Sequence, residues 1–147
     1  MRNRKALSPV IATVILVSVT IVVAVAVSYW MGGIAGIYTR FEKIEISSCY
    51  AVKDTANGQY NITVTLKNSG SQDATVTDIM LNGKPLSQYA VAQINSTLPT
   101  TGQSIAIGQS GTLYIYIRTS VYEAGTTLDL KFRTAAGKEY PQMLTLP

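Results

Sequence analysis

The sequence predicts an α+β protein, in which a long N-terminal hydrophobic α-helix is followed by an all-β antiparallel sandwich. Two observations carry this prediction. No charged residue occurs between Lys5 and Arg40, although 14% of the 147 residues are charged. After residue 43 the hydrophobic pattern changes from continuous to alternating, with the period of two that indicates β-strands. The C-terminal part is long enough to bury one modest core without cross-links.

The N-terminal segment 10–31 reads VIATVILVSVTIVVAVAVSYWM and is apolar on every side. A helix of this kind is either buried all round or lies in lipid. At 1.5 Å per residue it is roughly 33 Å long, which spans the hydrocarbon core of a bilayer. The apolar region of a secretory signal peptide is shorter, about 7–15 residues, so the length favours a membrane anchor. Because Arg2, Arg4 and Lys5 precede it and cations stay cytoplasmic, we expect residues 41–147 outside the membrane.

Both ends of this helix carry sequence signals. Ser8 is predicted as the N-cap and Pro9 as the first helical residue, where the missing N–H of proline is no loss. At the other end Gly32, Gly33 and Gly36 interrupt the apolar run. These glycines either end the helix or, through the spacing Gly32-x-x-x-Gly36, let another helix approach closely.

Composition excludes several classes of function. Three of the 12 Lys and Arg residues lie in the first five positions, so the remainder has no basic surface suited to nucleic acid. Histidine is absent, which excludes Ser-His-Asp and Cys-His catalysis and histidine metal sites. The single cysteine, Cys49, allows no intrachain disulfide. It is expected to be a small buried apolar residue, with an exposed cross-linking thiol as the alternative. We expect no catalytic residue, no metal and no cofactor.

The C-terminal part is predicted to contain about seven short strands. They lie at 44–52, 60–67, 74–81, 103–107, 112–118, 126–133 and 139–146. Turn sequences separate several of them, and Asn82-Gly83 is the strongest tight-turn signal. Residues 87–102 are predicted as a loop. This pattern predicts an immunoglobulin-like antiparallel sandwich, with the strand order left open.

Two features of this part are candidates for function, and a third is explained as a solvated surface. Asn61-Ile62-Thr63 and Asn95-Ser96-Thr97 are acceptor sequences for N-glycosylation, although such triplets also occur by chance. Strand residues Tyr114 and Tyr116 are expected to form a subunit contact, with ordinary core packing or adhesion as alternatives. Glu42 and Glu45 alternate with basic residues, which predicts a solvated segment rather than an acid–base pair.

A family resemblance is carried by the N-terminal sequence Lys5-Ala6-Leu7-Ser8-Pro9-Val10-Ile11-Ala12-Thr13-Val14. It resembles the leader and helix start of archaeal type IV pilins, and the adhesion-pilin group in particular. Archaellins and bacterial type IV pilins are relatives of this family. The resemblance implies a prepilin-type leader peptide (a class III signal peptide) at 1–6, a transmembrane and filament-core helix at 7–40 and an extracellular head at 41–147. It also implies cleavage between Ala6 and Leu7 by a prepilin peptidase that recognises Lys5 and Ala6.

The function implied by the resemblance is that of a structural subunit of an extracellular archaeal type IV pilus or adhesion filament. The precursor would sit in the cytoplasmic membrane, and an assembly ATPase and a membrane platform protein would drive it into a homo-oligomeric helical filament. The residues expected to pack in the filament core are Ile11, Ala12, Ile15, Val19, Val22, Ala26, Gly32 and Gly36. Bacterial type IV pilins carry Glu where Ile11 stands, so axial register is expected to come from side-chain shape and head contacts.

Two other functions remain open at this point. The first is a monomeric, single-span, membrane-anchored protein whose extracellular sandwich binds a ligand. The second is a subunit of an archaellum, the motility filament, or a minor tip pilin. An enzyme is disfavoured, because histidine is absent and no paired carboxylates are evident.

Overall fold

The structure is a computed structural model that describes the backbone of residues 4–147 and the side chains of residues 8–147. The chain divides into two compact units, one through Arg40 and the other Phe41–Pro147. The first is a single helix, and the second is built of antiparallel strands in two sheets. The predicted α+β fold, a hydrophobic helix followed by a sandwich-like head, is confirmed.

Helix α1 comprises Arg4–Thr39. The prediction that it begins at Ser8 and Pro9 is wrong, because Pro9 lies inside the helix. A proline near the start of a helix removes one backbone hydrogen bond and disturbs few preceding turns, so the helix continues on its N-terminal side. The first three residues of the predicted leader lie outside the described residues, as do the side chains of Lys5, Ala6 and Leu7.

The described part of the head contains nine strands and one short 3₁₀ turn at Leu86–Gln88. The strands are β1 (Ile44–Asp54), β2 (Gln59–Asn68), β3 (Ala74–Leu81), β4 (Lys84–Pro85), β5 (Ile94–Ser96), β6 (Gln103–Ile105), β7 (Ser110–Arg118), β8 (Thr127–Thr134) and β9 (Glu139–Thr145). Sheet A has the order β1-β2-β7-β5. Sheet B has the order β4-β3-β8-β9, with β6 also paired to β3.

The core of the head comes from the alternation that the sequence shows. In β2, β7 and β8 every second side chain points inward and is buried, while its neighbours lie on the outer faces. Each fully buried large side chain contributes about 1.5–3 kcal/mol relative to exposure. The largest of these are Tyr60, Phe132, Ile62, Leu66, Ile79, Leu81, Leu113, Ile115, Ile117, Leu128 and Leu130.

The predicted loop 87–102 contains structure that the sequence does not reveal. Strand β5 lies within it and pairs with β7 through Ile94–Ile117, Asn95–Tyr116 and Ser96–Ile115. A strand of three residues is too short for a period-two signal, and a partner distant in sequence holds it in place. The loop therefore adds the fourth strand to sheet A.

Phe41–Lys43, the first segment of the head, is tied down on two sides. Glu42 is 5% exposed, so the prediction that it is solvated is wrong. Its Oε2 accepts a 3.1 Å hydrogen bond from Thr134 Oγ1, and its backbone oxygen accepts one of 2.8 Å from Lys138 Nζ. On the other side, Ser71 N donates to Phe41 O over 2.9 Å. Glu42 faces inward because it stands two residues before the inward-facing Ile44.

Candidate functional site

The surface of α1 is apolar and uncovered within the single chain. Ser8–Thr39 is long and apolar enough to cross a membrane, with a mean hydropathy of 3.0 in its most apolar window, none of which is buried. The large aliphatic side chains between Val10 and Val27 lie on every side of the helix and are exposed, from 49% at Val27 to 69% at Leu16. A helix with no polar face is stable only where water is excluded from all sides.

Three hydroxyl groups in the apolar part of the helix are satisfied by the helix itself. Thr13 Oγ1 donates to Val10 O, and Ser18 and Thr20 donate to the carbonyls four residues earlier, each over 2.7 Å. These bonds remove the cost of placing a hydroxyl in an apolar environment. The segment can therefore enter lipid, or a bundle of like helices, without leaving these donors unpaired.

Most of the residues predicted to pack in a filament core share one side of α1. Ile11, Ile15, Val19, Val22 and Ala26 follow at intervals of three or four residues, the spacing of neighbours along a helix face. The isoleucines and valines among them are 55–67% exposed. The stripe is thus uncovered in the single chain, and its role in packing stays a prediction.

The small residues near the end of the helix also have free space around them. The predicted packing residues Gly32 and Gly36 lie within α1, where a Cβ would meet no described atom within 4 Å. The glycines therefore do not end the helix, which continues to Thr39. Ala12, also predicted to pack, is exposed. Among residues 8–147, no side chain or backbone contact requires glycine at either position.

A cluster of aromatic residues follows the most apolar part of α1. Tyr29 is 87% exposed, Trp30 64% and Tyr38 84%. Tryptophan and tyrosine concentrate where hydrocarbon meets water at a membrane surface, because their rings are apolar and carry a polar group. From Val10, twenty residues at 1.5 Å each reach Tyr29 after about 30 Å, the thickness of the hydrocarbon core.

The outer face of sheet A carries both candidate tyrosines. Strand β7 is internal to the sheet, with Leu113, Ile115 and Ile117 buried and Tyr114 and Tyr116 on the opposite face. Tyr114 is 43% exposed and stands opposite Thr63 of β2. This arrangement rejects the alternative that the tyrosines are core residues of the single chain. Their predicted role as a subunit contact remains a proposal.

The two glycosylation acceptors lie on that same face, one on each side of Tyr116. Asn61 of β2 and Asn95 of β5 are both register partners of Tyr116. Asn61 is half-buried, and its Oδ1 accepts a 2.8 Å hydrogen bond from Gln59 Nε2. Asn95 is exposed and belongs to a short strand rather than to a loop. The register brings the two acceptors together, which the sequence alone did not indicate.

Two titratable groups of the head have shifted pKa values with simple causes. Glu45 is exposed and pairs with Lys43 over 2.7 Å, and this contact lowers the pKa of Glu45. Cys49 is half-buried against the core, and burial raises the pKa of its thiol, which disfavours the reactive thiolate. Among residues 8–147, no group of three or more acidic, cysteine or histidine side chains could hold a metal ion.

Comparisons with known proteins give a likeness in structure but no match in sequence. No protein-family model matches the chain, and no curated protein matches it. Among solved structures, the chain is similar to the "Structure of Iho670 Flagellar-like Filament". The TM-score is 0.40 and the sequence identity 10%, over 94% of this chain and 98% of the other.

Proposed function

We propose that the chain is the structural subunit of an extracellular archaeal type IV pilus or adhesion filament. The observation that carries the proposal is the pairing of an apolar helix, uncovered on all sides, with a head that has its own closed core. Such a helix needs either lipid or other helices around it. The leader-like sequence around Lys5–Leu7 supports a final location among other helices.

The precursor is held in the cytoplasmic membrane before assembly. Twenty apolar residues at about −0.3 to −0.6 kcal/mol each stabilise the inserted helix by roughly 6–12 kcal/mol. Lipid is as apolar as a helix bundle, so hydrophobicity alone does not draw the helix out. The free energy needed to remove the helix from lipid comes partly from close helix packing, through Gly32, Gly36 and the stripe that begins at Ile11. Contacts between heads, an ATPase and a platform protein supply the rest.

Leader removal prepares the helix for this exchange. A prepilin peptidase cuts between Ala6 and Leu7, with Lys5 and Ala6 as recognition residues, and releases the cations Arg2, Arg4 and Lys5. Each would cost about 2.5–3.5 kcal/mol at the centre of an apolar helix bundle. The cleaved chain then begins with Leu7, and Ser8 and Pro9 come to stand at the new helix start, where both residue types are favoured.

The heads form the outer wall of the filament. The outer face of sheet A, with Tyr114 and Tyr116, supplies a contact between neighbouring heads. Exposed aromatic side chains favour such contacts. Asn61 and Asn95 are the proposed N-glycosylation sites of this surface, and their modification would shift the contact to another part of the head.

The substitution Ile11→Asp tests the packed helix core. We expect the precursor to stay in the membrane, because one carboxylate near the helix end costs less than the whole span gains. Surface fibres should disappear, because the carboxylate would be buried without a partner. The matched control is Ile107→Asp, the same change at an isoleucine of the head that is 55% exposed. Normal fibres from Ile11→Asp would contradict the packed helix core. The absence of fibres from the unmodified chain would favour a monomeric anchored binding protein, and loss of swimming on deletion of the chain would indicate an archaellum subunit.

A further inference from the structure

A shallow depression of about 280 Å³ lies at one end of the outer face of sheet A. Tyr116 and Arg118, two residues apart on β7, line its floor. Gln59 of β2 borders it on one side, and Gln93 and Asn95 border it on the other. The volume is close to the lower end of the range for small-molecule sites, about 300–1000 Å³.

The sheet register fixes the arrangement of these side chains. Tyr116 is paired with Asn95, and Arg118 is paired with Gln59. The backbone N–H of Arg118 donates to Gln93 O over 2.9 Å. This bond continues the pairing of β5 with β7 to Gln93, the residue before β5. An aromatic ring and a cation are thus flanked by amide side chains on both sides. Gln59, Asn95, Tyr116 and Arg118 lie on strands, which hold such geometry better than loops do, and Gln93 lies in the turn just before β5.

The cation in the depression has no acidic partner. Two N–H groups of Arg118 donate to backbone carbonyls, Nε to Ala92 O and Nη1 to Asn57 O, each over 3.3 Å. These bonds fix the direction of the guanidinium, which carries five N–H donors in all. Within residues 8–147, no carboxylate forms a salt bridge with Arg118.

We propose that this depression binds a saccharide. Amide side chains both donate and accept hydrogen bonds, as sugar hydroxyl groups do. The Tyr116 ring offers a flat surface to the C–H face of a sugar ring and keeps a polar group at its edge. Arg118 adds a hydrogen-bond donor that suits a hydroxyl or a sugar carboxylate. The proposal does not require filament assembly, because every residue involved belongs to one head. Tyr116 is also part of the proposed contact between heads, so a given head uses this residue for either the sugar or the contact.

The sugar has two sources that share this chemistry. It is either a free saccharide from the surroundings or a glycan linked to Asn95, which itself lines the depression. In the second case Asn95 Nδ2 forms a bond to C1 of a lipid-phosphate-linked glycan. The bond from C1 to the phosphate oxygen breaks, the lipid phosphate leaves and Nδ2 loses one proton. Asn95 is exposed and accessible to this reaction.

Saccharide binding is measured by NMR on the full chain, made in a bacterium without N-glycosylation and held in phosphocholine micelles, which carry no sugar. Glucose, galactose, N-acetylglucosamine and glucuronic acid are each titrated to millimolar concentrations. We expect at least one of them to shift the side-chain amide signals of Gln59, Gln93 and Asn95 saturably. The proposal is overturned if none of the four sugars shifts these signals.

Variants locate the site and identify the source. Gln93→Ala and Tyr116→Ala should raise the Kd at least about tenfold, whereas Gln88→Ala and Tyr50→Ala, at exposed residues outside the depression, should leave it unchanged. Wild-type affinity in Gln93→Ala and Tyr116→Ala overturns the proposal. The native-host chain is then compared with its Thr97→Val variant, which lacks the acceptor sequence. Binding of added sugar only in the variant identifies an Asn95-linked glycan as the occupant, and binding in both identifies a free saccharide.

Discussion

Thr134 Oγ1 donates a 3.1 Å hydrogen bond to Glu42 Oε2 and joins residues that are 92 positions apart in the chain. Both residues are buried, Glu42 to 5% exposure and Thr134 to 2%. The bond holds Phe41–Lys43, the first segment of the head, in place. It links that segment to the last residue of β8.

Loss of this hydrogen bond should destabilise the head. Thr134→Val keeps the shape of the side chain but leaves the buried Glu42 oxygen without its donor, which costs about 1–3 kcal/mol. The free energy of unfolding is measured by urea titration with circular dichroism. The control is Thr127→Val, because the Thr127 hydroxyl bonds Thr145 at an exposed position, where a change of less than about 0.5 kcal/mol is expected. Equal effects of the two substitutions would contradict a role for the Glu42 contact.

Gly70 is required by a close approach of the backbone. A Cβ at this position would lie 2.6 Å from Phe41 O and 2.7 Å from Lys43 N, and backbone atoms cannot give way as a flexible side chain can. We expect Gly70→Ala to cost about 3 kcal/mol. Gly137→Ala is the control: its Cβ would meet nothing within 4 Å, so only the left-handed φ of 79° opposes it, at about 1–2 kcal/mol. A smaller loss for Gly70→Ala than for Gly137→Ala would contradict the close approach.

The pKa of Asp54 should lie below its usual 3.8, because the Asn57 side chain and backbone donate hydrogen bonds to the carboxylate. A lowered pKa in the folded state stabilises the fold above the ordinary value, and this contribution is lost as pH falls through the lowered one. NMR titration of the carboxyl carbons should show that Asn57→Ala raises the pKa of Asp54. The pKa of Glu45, which Lys43 lowers, should not change. An Asp54 pKa at or above 3.8 in the unmodified chain would contradict this.

Trp30 is the single tryptophan of the chain and reports the depth of the helix. If the hydrocarbon core begins near Val10, Trp30 lies at the outer membrane interface. In lipid vesicles its fluorescence should be quenched more by bromine placed near the headgroup than by bromine at the chain end. A Val22→Trp chain that also carries Trp30→Phe should show the reverse order. Stronger quenching of Trp30 by bromine at the chain end would contradict this placement, because the membrane-spanning segment would then extend further towards the C-terminus.

Most of the fold could be predicted because local pattern and tertiary structure agree in it. The alternation of Tyr60, Ile62, Val64 and Leu66 is the same alternation that the sandwich buries. The all-round apolar run likewise becomes α1. These signals lie within single elements and need no knowledge of the partner strand.

The features that sequence reasoning missed depend on partners distant in the chain. Strand β5 forms because β7 pairs with it. Glu42 can be buried because Thr134 donates a hydrogen bond to its carboxylate. The saccharide depression is assembled from three strands, and its amides at 59, 93 and 95 form no motif in the sequence. The two acceptor asparagines were visible as triplets, but their shared neighbour Tyr116 became evident only from the register.

In the proposed assembly, the helix leaves lipid for copies of itself after residues 1–6 have been cut away. To test this, fibres are sheared from the cell surface, and the N-terminal residue and mass of the subunit are determined. We expect the fibre subunit to begin with Leu7 and the membrane-bound precursor to carry Arg2 and Arg4. A fibre subunit that retains Arg2, or the absence of any fibre built from this chain, would contradict it.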